Sequence, residues 1–229
     1  MFREAIKYFN CPSYNESNKP VAARAFIIFM FKFILLIILV GIINGLIYAF
    51  ETIPPNTLGN FHVSSFQAFL IPALFFPVIE EFVFRLNLRI SLNNLLVLFT
   101  FIFGIFLYRM LRLNQTENLF FIGILPFIFI MVLVYFKYYG SQKMEEYIRN
   151  FWRRHFVLIF HASCWIFAFL HLFNFEEITP TLLFLSPVIV LPQLMFGYAL
   201  GFLRMNYGFQ YNVIFHVVYN SIFSLSFIQ

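Results

Sequence analysis

The chain has 229 residues, 62% hydrophobic and only 11% charged, with 37 phenylalanines. A soluble domain of this length does not need so much apolar surface, whereas a polytopic membrane protein with a lipid-facing shell does. The net charge of +5 reads as loop charge and needs no nucleic acid to explain it, and two cysteines, Cys11 and Cys164, are too few for a disulfide framework and read as free thiols.

In chain order, residues 1–24 are polar and mixed in charge and form a cytoplasmic amino-terminal segment. The remainder, 25–229, reads as a single membrane-embedded, all-α domain. Runs of about the roughly 20 apolar residues needed to cross a bilayer lie near 25–50, 66–90, 95–112, 119–139, 155–175, 181–203 and 209–228. This predicts a helix bundle of about seven spans. The second span is expected to continue past Arg85 to near Asn93. ETIPPNTLGN at 51–60 is a turn-rich loop.

In SQKMEEYIRNFWRR, 141–154, apolar residues recur at helical spacing opposite charges, which predicts an amphipathic helix lying in the membrane interface. GYALG at 197–201 places small residues four apart, which lets two helices approach closely. With seven spans, most Lys and Arg, Arg204 among them, fall on one side. The positive-inside rule then puts the amino terminus in the cytoplasm.

A charge near the bilayer centre costs about 2.5–3.5 kcal/mol on insertion scales, so such residues usually face the protein interior and carry function. Glu80, Glu81, Arg85, His171, His216 and Asn220 all fall in apolar runs. Glu81 and Arg85 are four apart, one helical turn, and can pair. Glu80 is rotated by about 100° from Glu81 and is expected to be the unpaired carboxylate, suited to general-base work. Pro77, one turn earlier, is expected to kink the helix. His216 and Asn220 share a face.

These residues spell EExxxR (80–85), FxxxH (167–171) and HxxxN (216–220), each within an apolar run. In that order they resemble the CAAX protease and bacteriocin-processing (CPBP, or Abi) family, which includes the type II CAAX prenyl endopeptidase. The resemblance covers about residues 66–228, with the core at 66–90 and 155–228 and an inserted hairpin plus amphipathic helix at 95–154. It implies an intramembrane, glutamate-type endopeptidase in which Glu80 and His171 activate a water. Glu81 and Arg85 would support Glu80, and His216 and Asn220 would form the oxyanion hole. It further implies a membrane-associated or prenylated peptide substrate, no cofactor, and a multi-pass protein of the bacterial cytoplasmic membrane.

Other readings of the same residues stay open. A catalytically silent scaffold or immunity protein could keep the fold. A transporter could use the carboxylates and histidines as a proton relay. Zinc could be held by Glu80, His171 and His216, because His and carboxylate ligands with an open position suit a catalytic metal.

Overall fold

The computed structural model describes residues 1–50, 53–55, 69–112, 127–128, 130–132, 134–135, 137–138 and 142–225. Among these residues the architecture is helical, with no β-strand. The chain divides into two units, one built from Met1–Leu88 and Phe156–Gln229, the other from Arg89–His155.

In the first unit, helix α1 (Phe2–Asn10) is followed by the long α2 (Ala23–Phe50). The polar amino-terminal segment is thus partly helical, and its apolar side is packed. Ala5 is buried, the rings of Phe2 and Phe9 lie tilted against Phe33, and Tyr8 meets Phe160 and Phe202 edge-on. In α2 one stripe is buried, Phe26, Phe29, Phe33, Ile37 and Asn44, at the spacing of one helical face. The other faces carry exposed Ile, Leu and Phe. Asn44 donates to the Ile189 carbonyl at 2.8 Å.

A π-helical turn, Ile71–Phe75, runs directly into α3 (Phe76–Phe84). The Phe76 N–H donates to the Ile71 carbonyl, five residues back. In that register the next carbonyl, Pro72, would need the N–H of residue 77, which is a proline and has none. The side-chain amide of Asn220 supplies the missing donor, bonding Pro72 O at 3.1 Å. The expected distortion beside Pro77 therefore takes the form of a π turn upstream of it.

α3 does not continue to Asn93 as the hydropathy suggests. Arg85 is its C-cap and a 3-10 turn, Leu86–Leu88, follows. Carbonyls at a helix end have no intrahelical partner. Here they find buried side chains: Ser163 donates to Phe84 O at 2.9 Å, and Arg204 donates to Arg85 O and Leu86 O, each at 3.0 Å. Arg204 is 7% exposed and lies over the Phe209 ring. Its charge is a buried helix cap, which corrects its reading as loop charge.

α6 (Phe156–Leu170) ends in a 3-10 turn that begins at His171. α7 (Pro180–Ile189) starts on a Thr179 cap whose hydroxyl accepts from Leu182 N, with Pro180 at the first helical position. α7 and α8 (Leu191–Asn206) meet at a 41° bend, so the run expected as one span at 181–203 is a broken pair. α8 is the central helix. It packs against α1, α2, α6 and α9 (Phe209–Leu225), and from Ala199 to Asn206 every residue is buried. Gly197 and Gly201 lie against α6. A Cβ on Gly201 would sit 2.6 Å from the buried Phe160 ring. α8 terminates where Gly208, at φ 114°, turns the chain into α9.

The second unit covers the stretch read as an insertion. It contains α4 (Leu92–Arg112) and α5 (Gln142–Arg154). The Ser91 hydroxyl accepts from Asn94 N, and Arg149 pairs with Glu145 at 3.0 Å along α5. Tyr147 and Phe151 project from α5, 69% and 51% exposed. Much of the expected 119–139 span lies outside the described residues.

Two helices among the described residues are long and apolar enough to cross a membrane, Ala23–Ile47 and Phe156–Asn174; the bent α7–α8 pair adds a third if it is counted as one span. Among the described residues, seven spans are not supported. The 66–90 run is interrupted at Arg85, the 95–112 run holds only a shorter apolar helix, Leu92–Ile102, and α9 is 17 residues long.

Candidate active site

The site is assembled within the first unit from α3, α6 and α9. The α-helical turn of α3 places Glu81 inward, fully buried, and Arg85 one turn further, also fully buried. Their spacing pairs them: Arg85 Nη1 lies 3.5 Å from Glu81 Oε1. Neither terminal nitrogen of Arg85 makes a hydrogen bond among the described residues. The guanidinium is instead held by this ion pair and by the Phe167 ring, whose centroid is 4.0 Å from Cζ, with Phe84 at 5.5 Å. A cation over an aromatic face is worth about 2 kcal/mol when desolvated. Room for the stack comes from Gly197, where a Cβ would lie 3.1 Å from Arg85 Nη2 and 3.2 Å from Phe167.

α9 brings three polar residues to the same region at spacings of four: Asn212, His216 and Asn220. Asn212 Nδ2 donates to Glu81 Oε2. His216 Nδ1 lies 2.7 Å from Glu81 Oε1, and its other ring nitrogen, Nε2, lies 3.5 Å from Glu80 Oε2. An ionised carboxylate only accepts hydrogen bonds. The Glu81 contact is therefore made by an Nδ1–H donor, and Nε2 is the nitrogen presented to Glu80. His216 is 2% exposed, while the Glu80 side chain is 31% exposed. Adjacent carboxylates thus have opposite settings, one sealed among three partners and one at the edge of the cluster.

The sequence-predicted residues fall into two groups. Glu80, His216, Glu81 and Arg85 form a chain of contacts in that order. His171 is joined to them through Phe167. Its Nδ1 is 2.8 Å from Phe167 O, and its ring meets the Phe167 ring edge-on at 4.8 Å. Phe167 also meets His216 edge-on at 6.0 Å. Asn220 is not on the carboxylates; its amide is engaged by Pro72 O. Glu80 faces His216 Nε2 at 3.5 Å and keeps the rest of its carboxylate toward the edge of the cluster.

Three residues escape the sequence reading. Asn212 follows Gly208 by four and resembles helix-start polarity, although its spacing to His216 and Asn220 is a legible signal. Ser163 and Arg204 hold the end of α3, and nothing in hydropathy marks them for that. Among the described residues, no group of three or more His, Cys, Asp or Glu side chains is arranged to hold a metal ion. No family model matches the chain, and neither a curated protein nor a solved structure matches it.

Proposed function

We propose that the protein is a multi-pass intramembrane endopeptidase of the glutamate type, similar in mechanism to the CPBP family that its motifs resemble. The observation that carries this reading is the asymmetry of the two carboxylates. Glu81 is buried and fully engaged, whereas Glu80 keeps one side open beside a histidine nitrogen. In this reading Glu80 takes a proton from a water that attacks the peptide carbonyl, and His171 orients that water. His216 Nε2, fixed by Glu81, receives or returns the proton on its way to the leaving amine. General acid–base transfer of this kind contributes about 10²–10⁴-fold. Arg85 balances the charge of Glu81, so that the cluster gains only the charge needed in the transition state.

The substrate class is a membrane-associated or prenylated peptide, reached from the lipid side. Two or three helices of spanning length and composition support the membrane setting. A cytoplasmic amino terminus is proposed from Arg3, Lys7, Lys19 and Arg24, which precede or open the first candidate span.

One observation favours a scaffold instead: His216 Nδ1 and the Asn220 amide, the two donors assigned to an oxyanion hole, are both already bonded within the protein. The Glu80→Gln variant separates the two readings. It keeps size and hydrogen bonding but removes the base. Membrane peptides compared between cells carrying the wild type and the variant should show uncut precursors accumulating with the variant. Identical peptide profiles, with both proteins folded and inserted, would establish the scaffold. In the same assay, full inhibition by a chelator and rescue by zinc would assign Glu80, His171 and His216 as metal ligands.

A further inference from the structure

We propose that Asn212 is the positioning residue of this cluster. By donating to Glu81 Oε2 it turns the buried carboxylate so that Oε1 takes the Nδ1–H of His216, and it thereby sets which nitrogen of that ring faces Glu80. The assignment gives Asn212 its meaning in turnover through the protease reading above, but its effect on the ring exists without turnover.

The geometry is direct. Asn212 and His216 are four residues apart on α9, so one helical face presents both to the same carboxylate. Arg85 approaches Oε1 from within α3. Without a donor on Oε2, the carboxylate is free to rotate toward Arg85, and nothing then holds an oxygen in line with Nδ1. The tautomer of a histidine is set by the hydrogen bond made at its other nitrogen.

The cost of Asn212 points the same way. The residue is fully buried, and its Oδ1 has no hydrogen-bond partner among the described residues. An unmet buried acceptor lowers stability, and a leucine of similar size would avoid it. The amide is therefore retained for its donor, and the Glu81 carboxylate is what that donor meets.

The test reads the ring itself. The full chain, labelled with ¹⁵N-histidine and held in lipid nanodiscs, is examined by NMR, with His216 assigned by the signals lost in His216→Gln. The wild type should show Nδ1 protonated. Asn212→Leu, and the milder Asn212→Ser, should move the His216 signals toward a mixture of tautomers. They should also lower any peptide cleavage by at least about tenfold. A wild-type ring with Nδ1 unprotonated would overturn the proposal, and so would His216 signals unchanged in both folded variants. Absence of cleavage by the wild type, with the tautomer as expected, would remove the protease reading and leave the positioning role intact.

Discussion

α2 and α8 invert the usual relation between hydropathy and burial. α2 is the most apolar candidate span, with a mean hydropathy of 3.1 over its best window, yet only 22% of that window is buried. α8 carries Gln193, Tyr198, Arg204 and Asn206, and it is the most enclosed helix of its unit. Ile27, Phe31, Leu39 and Ile42 of α2 are more than half exposed, while Arg204 and Asn206 are buried. In water such an outer surface would be a large apolar patch of the kind that marks a partner or a membrane. In lipid it costs nothing, and the interior becomes the place where polar groups find partners. Hydropathy here reports what faces the solvent, and the polar residues report the core.

The comparison is most strongly challenged at Arg85. Arg85→Ala leaves Glu81 buried without its cation, a loss of roughly 3–5 kcal/mol for a broken buried pair. Expression and thermal stability in detergent should collapse. A stable Arg85→Ala protein would mean that Asn212 and His216 alone satisfy the carboxylate.

The outer face of α2 gives the next largest effect. Leu39, 57% exposed, should resist Leu39→Arg by about 2.5–3.5 kcal/mol if that face meets lipid. In water the same change should stay within about 0.5 kcal/mol. Membrane insertion efficiency of the two proteins distinguishes the environments.

The smallest effect belongs to α8. Gly201→Ala forces a methyl into the Phe160 ring, and overpacking of this kind costs about 1–3 kcal/mol. A lowered melting temperature without loss of the Glu81–His216 contact is the expected result, since Gly201 lies one turn past Gly197 and away from Arg85.

How much of this is legible in the sequence follows from the same inversion. Charged residues in apolar runs stand out, so Glu80, Glu81, Arg85 and His216 are found from composition alone, and the i, i+4 rule pairs Glu81 with Arg85. The helix end at Arg85 is hidden because no Gly or Pro follows it in LNLRI, 86–90, where apolar residues alternate with polar ones. Its caps come from Ser163 and Arg204, far away in the chain. Arg204 itself is disguised, because a cation at the end of an apolar run looks like flanking charge. His216 bridges two carboxylates, a contact between α3 and α9 that no local pattern encodes.

The π turn at 71–75 carries a consequence for how such a chain can vary. It holds one residue more than an α-helix would use over the same rise, and each residue turns the helix by about 100°. Everything upstream of it is therefore out of phase with everything downstream by that angle. The side of the helix that carries Phe69 and Leu70 and the side that carries Glu81 and Arg85 are set separately. Deleting a single residue between Ile71 and Phe75 would leave the composition almost untouched and remove the extra residue of the turn, with Pro77 still leaving one carbonyl without a backbone donor. It would also swing the two ends into a common phase and move Pro72 away from Asn220. Point substitutions in this segment would be mild by comparison. For this helix, length is the quantity under constraint, more than the identity of any residue within the turn.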